Sequence, residues 1–323
     1  MLKLFLGSRL LKFIIDLCLL PIVLFGAPFF FIYRRIGSQR LPISTKVFQK
    51  IGVFPIVNHY YEPCFNNKNG NELYLPRCLP GVDFNIEGQM RFLNELNFSD
   101  EFELFLSNEK TAKTMLRFNL RNGYFESGDA EFLFQMIRYL KPKKIIEVGC
   151  GESTKIIAAA LKLNQEKDNS KVKHICIDPN AQSWIEGFDN IEIIKSNVED
   201  VGVEIFKSLD AGDLLFIDSS HVIRSNGDVL FLYLEVIPQL KSGVVCHVHD
   251  IFSPRDYPNA WLQEKVLFWN EQYLLEALLT ETNKYEVVAA LNLLKHSKYE
   301  KLLQVAPFLS SDREPASFYF KVN

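Results

Sequence analysis

The sequence predicts an α/β protein with a mostly parallel sheet, and three observations carry that prediction. Short runs of Val, Ile and Leu alternate with helix-length stretches, which is typical of parallel strands buried on both faces. Several of these runs end in a carboxylate, at Glu147, Asp178 and Asp218. At 323 residues the chain is long enough for one sizeable α/β domain with additional elements.

The first predicted strand and the turn after it form the most informative stretch of the chain. Residues 143–153 read Lys-Lys-Ile-Ile-Glu-Val-Gly-Cys-Gly-Glu-Ser. The two glycines let the backbone approach a ligand closely, and the N–H groups of a helix starting near Thr154 favour an electron-rich ligand. Glu147 can accept hydrogen bonds from such a ligand. An ordinary tight turn is the alternative, because Gly-x-Gly alone is weak evidence.

A second apolar run ends in an acid where a bound nucleoside would need one. Residues 174–178 read His-Ile-Cys-Ile-Asp, about thirty residues downstream of the glycine turn. The second strand of a βαβ unit delivers its terminal acid to a ribose, so Asp178 is the predicted ribose ligand. A nicotinamide site requires a third glycine, and Ser153 or Thr154 stands there instead.

Together these two motifs resemble those of the class I S-adenosylmethionine-dependent methyltransferases. Glu147-Val-Gly-Cys-Gly151 matches the first motif of that family and Asp178 the acid of its second. The resemblance implies that the glycine turn approaches the methionine part of the cofactor, that Asp178 holds the ribose and that Asn197 lies near the adenine. The implied S-adenosylmethionine site consists of Glu147, Gly149, Gly151, Ser153, Asp178, Asn197 and Asp218.

The later elements extend the resemblance over about residues 123–323. Seven strands, with a short helical stretch between the last two, match the Rossmann-like sheet of that family, whose last strand is antiparallel. Five further strands are predicted at residues 191–195, 213–218, 243–249, 285–291 and 316–322. Helices are predicted at residues 154–163, 229–240 and 266–279.

Composition narrows the class of protein further. The net charge of −3 gives no electrostatic argument for nucleic acid as a partner. The six cysteines show no paired metal spacing. Cys150, Cys176 and Cys246 fall in or beside predicted buried strands, so we expect reduced core thiols in a cytosolic domain.

The N-terminus predicts a membrane helix within residues 1–40. Residues 13–33 are apolar apart from Asp16, and about 20 such residues cross a bilayer as a helix. The run is too long for a cleaved signal peptide, and the basic cluster behind it is wrong for a cleavage site. The segment is hydrophobic on both sides, which argues against a buried core helix. The larger basic cluster follows the segment, which predicts that the rest of the chain lies on the cytoplasmic side.

The path of this segment through the membrane stays open. Pro21 and Pro28 remove backbone donors and can bend the helix, so it either crosses the bilayer or re-enters the face that it came from. Its pattern resembles the re-entrant anchor of membrane-bound phosphoglycosyl transferases over some thirty residues. None of the catalytic machinery of those enzymes accompanies it.

An extension at residues 41–122 joins the anchor to the sheet domain at residues 123–323. It contains His59-Tyr-Tyr-Glu-Pro63 and Arg77-Cys-Leu-Pro-Gly-Val-Asp83. Aromatic, acidic and imidazole groups of this kind can form a lid over a cofactor pocket. They can equally pack the extension against the sheet domain.

Two predicted strands end in combined acid and imidazole motifs. Asp218-Ser-Ser-His221 follows the fourth strand, and His247-Val-His249-Asp250 ends the fifth. An alcohol is a poor nucleophile, so its methylation calls for a general base or a divalent metal. His221 or His249 is the predicted base, with a pKa near the ordinary value of about 6.5. A hydrogen-bonded polar residue at a strand end is the alternative for each histidine.

The acids at these strand ends resemble those of metal-dependent O-methyltransferases and cephalosporin-hydroxylase-like proteins. Asp218 and Asp250 match by position, and His249 stands where the latter group has a second acid. The resemblance implies Asp218, Asp250 and His249 as ligands of Mg²⁺ or Mn²⁺, with no metal as the alternative. Asp218 is also expected to act in catalysis with His221 and His249.

The function expected from the sequence is O-methylation at the cytoplasmic membrane face. Residues 59–63 together with Trp269-Asn-Glu-Gln-Tyr273 resemble methyltransferases of the methyltransferase-24 group that accompany bacterial surface-polysaccharide genes. The resemblance implies a glycan or lipid-linked sugar as acceptor. A metal-dependent hydroxylase and a non-catalytic membrane-bound scaffold remain the alternatives.

Overall fold

The chain divides into two units, residues 1–69 and residues 70–323. The structure is a computed structural model and describes residues 9–37, 40–56, 75–109, 116–168, 172–188, 190–264 and 267–323. Residues 59–63 lie outside these ranges, so their role as a lid stays a prediction.

Seven strands form one sheet in the second unit, which confirms the predicted fold class. The strand order is β3-β2-β1-β4-β5-β7-β6. Neighbours from β3 to β5 are parallel, and β7 is antiparallel to both β5 and β6. The strands are β1 Lys144–Val148, β2 Lys173–Ile177, β3 Ile191–Ile194, β4 Leu214–Ile217, β5 Val245–Val248, β6 Tyr285–Ala290 and β7 Phe318–Val322.

Successive side chains of the central strands enter two separate apolar clusters. Ile145 and Leu214 belong to one cluster, whereas Ile146 and Leu215 belong to the other. Because side chains alternate along a strand, the sheet must lie between the two clusters. Burial on both faces explains why these strands appear in the sequence as continuous aliphatic runs.

Helices supply the other half of each cluster. The first cluster takes side chains from Ile86–Glu95, Ser99–Glu109, Asp129–Leu140, Glu152–Asp168 and Leu291–Leu303. The second takes them from Val198–Val201, Glu204–Lys207, Asp228–Leu230, the π-helix Phe231–Val236, the 3₁₀ turn Ile237–Gln239 and Glu271–Leu279. A 3₁₀ turn at Ser183–Gly187 and a π-helical turn at Ala260–Glu264 complete the unit.

The predicted helix at residues 266–279 is wrong in its start. The described helix is Glu271–Leu279, and residues 267–270 are not helical. The apolar stripe continues upstream of Glu271, but backbone N–H groups of Asn270 and Glu271 donate to the His221 carbonyl at 2.9 and 3.2 Å. This tertiary contact sets the start of the helix, and no local pattern in the sequence records it.

The strand order reverses direction between β1 and β4, and Gly149 lies at that point. In an open α/β sheet such a reversal opens a crevice at the carboxyl ends of the strands. Gly149 has a φ of +80°, and a Cβ built on it would lie 2.1 Å from the Asp218 carbonyl oxygen. The turn after β1 and the end of β4 therefore touch along the backbone, at a distance that only glycine allows.

The N-terminal unit contains one helix, Arg9–Ile36, that is long and apolar enough to cross a membrane. Nearly all of its apolar side chains are exposed. Tyr33, near its end, is buried against the second helix, Pro42–Ile51, where its hydroxyl lies 2.7 Å from Thr45 Oγ1. Pro21 and Pro28 lie inside the first helix. The structure thus places a helix where the sequence predicts one, while the choice between a crossing and a re-entrant path stays a prediction.

The Arg77–Asp83 part of the extension packs against the sheet domain. The Arg77 guanidinium donates to Glu276 Oε2 at 2.8 Å, and the Arg77 N–H donates to the Pro254 carbonyl at 2.9 Å. Val82 forms an antiparallel bridge with Thr280. These contacts support the packing interpretation for this segment. They also place it beside the loop that follows β5.

We expect Gly149→Ala to destabilise the protein by about 2 kcal/mol or more, because a side chain at this φ is strained and meets a backbone oxygen. Gly151→Ala is the matched control, since nothing lies within 4 Å of a Cβ built there. Thermal unfolding of the two variants measures the difference. Equal stability would contradict the close approach of the two strand ends.

Candidate active site

The glycine turn has open space on one side and a buried network on the other. A Cβ built on Gly151 meets nothing within 4 Å among the described residues, whereas Gly149 is packed against Asp218. Gly151 directly precedes the helix Glu152–Asp168, and it pairs with the first turn of that helix: its N–H donates to Thr154 Oγ1 at 3.1 Å and its carbonyl accepts from the Thr154 N–H at 3.1 Å. The turn therefore leaves a place where a ligand can approach the backbone, as the sequence predicts.

Glu147 points into the protein interior. It is fully buried, and its carboxylate accepts hydrogen bonds from Ser153 Oγ at 2.7 Å and from Thr154 Oγ1 at 3.0 Å. His174 Nε2 lies 2.9 Å from the same carboxylate, and Cys176 Sγ lies 3.3 Å from it. Glu147 and Ser153 thus fix the start of the helix in this structure. Their predicted contact with a ligand stays a prediction.

Asp178 joins the glycine turn to the end of β2. Its Oδ2 accepts from the Cys150 N–H at 3.1 Å and its Oδ1 from the Asn180 N–H at 2.6 Å. The side chain is half-buried, and each carboxylate oxygen keeps a further lone pair for a ligand. The structure thus brings Asp178 to the turn, where the predicted ribose would lie.

Asn197 follows β3 on the same edge of the sheet. It is exposed and precedes the short helix Val198–Val201, and its Nδ2 donates to Asp200 at 3.1 Å. An exposed amide at this edge is compatible with the predicted adenine contact, which stays a prediction.

Four predicted residues form an acid and imidazole cluster after β4 and β5. His221 Nε2 lies 3.2 Å from Asp218 Oδ1 and 3.5 Å from Asp250 Oδ2. His249 Nδ1 lies 3.7 Å from a carboxylate oxygen of each aspartate. His221 and His249 are almost completely buried, whereas the Asp218 side chain is 35% exposed. The cluster therefore opens to solvent on the Asp218 side.

Two members of the cluster have unusual backbone conformations. His221 has a φ of +61° and Asp250 a φ of +60°, in the left-handed region that residues with a Cβ seldom adopt. Such conformations persist where the surrounding structure imposes them, and they concentrate at functional sites. The side chains of these two residues meet, with His221 Nε2 3.5 Å from Asp250 Oδ2.

His247 does not join the cluster. It is fully buried, and its ring stacks on Tyr319 with centroids 4.1 Å apart. Burial, and then the nearby His249, hold the pKa of His247 well below its ordinary value. Of the three histidines that the sequence places at these strand ends, two reach the carboxylates and the third is a core residue.

A buried carboxylate stands behind each of the two site histidines. Glu271, which is fully buried, places its Oε2 2.8 Å from His221 Nδ1. Asp129, which is 1% exposed, places its Oδ2 3.8 Å from His249 Nε2. Sequence reasoning missed both acids. Each lies far along the chain from its histidine, and only the structure places each in the first turn of a helix.

The carboxylates change the protonation of the imidazoles. Burial lowers the pKa of His221, but contacts with Asp218 and Glu271 outweigh it and raise that pKa to about 10. Burial lowers the pKa of His249 too, and Asp250 with its neighbouring acids raises it well above the ordinary value. Both rings thus hold their protons to a higher pH than an ordinary imidazole does, unless a cation displaces the proton. The sequence-based expectation of a pKa near 6.5 is therefore wrong for His221 and His249, whose pKa values are both raised.

The group of possible metal ligands after β4 and β5 differs from the predicted one by a single residue. Asp218, His221 and Asp250 each offer one ligand atom, and these atoms lie within 4.8 Å of one another. His221 thus takes the place that the sequence-based set gives to His249, because the loop after β4 turns its Nε2 between the two carboxylates. Two oxygens and one imidazole nitrogen fit a divalent ion.

Comparison with known proteins identifies the class of enzyme. A family model described as a methyltransferase domain matches residues 146–251, from β1 to just beyond β5. The match covers the glycine turn, Asp178 and both acid and imidazole motifs. The protein is a methyltransferase, and the match together with the sheet topology supports the class I type that depends on S-adenosylmethionine.

Three individual proteins that resemble this chain are each 28% identical to it or less. An uncharacterised protein from Archaeoglobus fulgidus is 28% identical over 190 residues, which cover 55% of this chain and 83% of that protein. An O-methyltransferase from Bacillus cereus solved with SAH is 12% identical, with a TM-score of 0.39 over 68% of this chain and 90% of that chain. A SAM-dependent methyltransferase from Archaeoglobus fulgidus is 13% identical, with a TM-score of 0.30 over 60% and 94%.

We expect a chelator of divalent ions to abolish methyl transfer while S-adenosylmethionine still binds, and Asp250→Asn to reproduce that loss. A divalent ion at this site would lower the pKa of a bound hydroxyl, and the substitution would remove the negative charge of one of the three ligands that would hold it. Turnover and calorimetric cofactor binding, measured on the same samples, separate the two effects. Full activity in chelator and in the variant would exclude a metal from the reaction.

Proposed function

We infer that the protein transfers the methyl group of S-adenosylmethionine to a hydroxyl of a glycan or lipid-linked sugar at the cytoplasmic face of a membrane. One observation carries this proposal. The contact between Gly149 and the Asp218 carbonyl sets the open glycine turn beside the acid and imidazole cluster. A donor on the turn and an acceptor on the cluster would then be neighbours, as in-line transfer requires.

The cofactor side of the proposal depends on Gly151 and Asp178. Open space at Gly151 allows the methionine part of the donor to lie against the backbone. The Asp178 carboxylate, held by the N–H groups of Cys150 and Asn180, is positioned to accept from the ribose hydroxyls.

The acceptor side of the proposal depends on the acid and imidazole cluster. In methyl transfer a bond forms between the acceptor oxygen and the methyl carbon while the carbon–sulfur bond breaks, and the hydroxyl proton must leave. A divalent ion bound by Asp218, His221 and Asp250 would lower the pKa of that hydroxyl. His249 borders the same space and would accept the proton once a bound cation has displaced its own. These contacts favour an oxygen acceptor.

Aromatic side chains near the cluster support a sugar as acceptor. The Trp269 ring lies over the His221 ring, with centroids 4.2 Å apart, and the Trp261 ring contacts Trp269 edge-on at 5.1 Å. Both tryptophans are half-buried. The C–H faces of sugar rings pack well against such rings. The resemblance of residues 269–273 to polysaccharide-linked methyltransferases supports the same class of acceptor.

The membrane setting is supported by the helix Arg9–Ile36. Most of its apolar side chains are exposed, and the helix is long enough to span a bilayer. Arg34 and Arg35 lie in its last turn and Arg40 follows it, which favours the cytoplasm for the remaining chain. A lipid-linked acceptor would meet the enzyme at that surface.

We expect Asp178→Ala and Gly151→Val each to weaken S-adenosylmethionine binding by at least about tenfold, since the first removes a charged acceptor and the second fills the open space. Asp100→Ala, an exposed aspartate on the helix Ser99–Glu109, is the control. Calorimetry on the full chain in detergent measures the affinities. Unchanged binding in both site variants would remove the cofactor assignment.

Deletion of residues 1–33 should move the protein from the membrane to the soluble fraction, because it removes the apolar helix. Fractionation in high salt tests this, and labelling of Cys18 and of cysteines introduced near Ser8 and Ser38 separates a crossing helix from a re-entrant one. A truncated chain that still sediments with membranes in high salt would place the anchor elsewhere.

A further inference from the structure

We propose that Asp218, His221 and Asp250 bind a divalent transition-metal ion in preference to Mg²⁺, and that Glu271 is the positioning residue that makes His221 a ligand. The inference deepens the proposed function, on which it rests, by naming the ion at the same site. It is carried by the geometry around His221 and by a second imidazole beside it.

The His221 nitrogen already lies at the distances from both carboxylates that ligands of one ion would have. His221 Nε2 lies 3.2 Å from Asp218 Oδ1 and 3.5 Å from Asp250 Oδ2. Donor atoms that share an ion at bond lengths of about 2.0–2.2 Å lie roughly 3.0–3.5 Å apart. Binding would therefore need little rearrangement of these three side chains.

Glu271 determines which nitrogen of His221 faces the carboxylates. Its Oε2 lies 2.8 Å from Nδ1, and since a carboxylate accepts, Nδ1 carries the hydrogen. Nε2 then presents its lone pair between Asp218 and Asp250 once the ring is neutral. A buried carboxylate that holds the far nitrogen of a histidine in this way is the usual support of a metal-bound imidazole.

The surroundings of His221 leave the ring little freedom. Its carbonyl accepts from the N–H groups of Asn270 and Glu271, so the same helix start holds both the backbone and the side chain. Trp269 covers the face of the ring. His221 is held at its backbone carbonyl, at Nδ1 and at one face of its ring. Because the side chain is already preorganised, it loses less conformational entropy when an ion binds.

His249 provides the second, independent observation. Its side chain is 4% exposed, and its Nδ1 has no hydrogen-bond partner within the described part of the chain. That nitrogen points toward the space between Asp218 and Asp250, 3.7 Å from an oxygen of each. Buried polar atoms without partners are uncommon, and this one points to a ligand between the two acids.

Nitrogen donors decide the class of ion. Mg²⁺ prefers oxygen ligands and retains water, whereas imidazole favours Fe²⁺, Co²⁺, Ni²⁺ and Zn²⁺. A site with His221 among its ligands and His249 at its border therefore discriminates against Mg²⁺. An all-oxygen site would show a smaller preference of this kind.

Co²⁺ is the probe that tests the inference, because its visible absorption reports nitrogen ligation directly. The full chain, freed of metal in detergent, is titrated with Co²⁺ and with Mg²⁺ by calorimetry and absorption. We expect Co²⁺ to bind at least about tenfold more tightly than Mg²⁺. Glu271→Gln should weaken Co²⁺ binding by about 10–100-fold and change the spectrum.

Glu276→Gln is the matched control, since Glu276 lies on the same helix and contacts Arg77 and Ser253 instead of a histidine. It should leave Co²⁺ binding unchanged. His221→Asn is the second variant, for use if Glu271→Gln fails to fold, and it should reduce the preference for Co²⁺. Equal affinity for the two ions, or a Co²⁺ spectrum insensitive to both site variants, would overturn the inference.

S-adenosylmethionine titrations on the same metal-free samples separate this inference from the proposed function. Cofactor binding without a preference for Co²⁺ would refute the transition-metal site and leave the methyltransferase function intact. A Co²⁺ preference without cofactor binding would support the metal site and contradict the proposed function.

Discussion

The approach of Gly149 to the Asp218 carbonyl is the constraint on which the site depends. The Gly149 N–H donates to the Ile177 carbonyl at 3.0 Å, and the Val148 carbonyl accepts from the Asp218 N–H at 2.9 Å. The turn after β1 is thereby fixed to β2 on one side and to β4 on the other. The proposed cofactor half of the site and the acid and imidazole cluster meet at this point. A side chain at Gly149 would push the two halves apart.

A second constraint comes from the start of the helix Glu271–Leu279. Glu271 holds His221 after β4, while Gln272 Oε1 accepts from the Phe252 N–H after β5 at 2.7 Å. Two adjacent polar residues thus tie the two strand-end loops to one helix. Because both are fully buried, their hydrogen bonds resist exchange with water and fix the loops relative to each other. This explains how His221 and Asp250 keep left-handed backbones.

Much of the fold could be predicted because its pattern is local. Continuous aliphatic runs locate all seven strands, and acids at their ends locate the functional edge. The partners of the histidines could not be predicted, since Glu271 lies 50 residues after His221 and falls inside the helix predicted at residues 266–279. The direction of Glu147 was equally hidden, because a strand end does not reveal whether its last side chains face solvent or core. His221 as the third possible ligand follows from a loop conformation that composition does not encode.

The central claim is that the edge between β1 and β4 holds S-adenosylmethionine with its methyl group directed at the acid and imidazole cluster. An experimental structure of the full chain with S-adenosylhomocysteine tests it most directly. The account predicts the ribose on Asp178, the methionine part against Gly151 and the sulfur facing Asp218 and Asp250. A product molecule bound elsewhere, or at this edge with its sulfur turned away from those carboxylates, would contradict it.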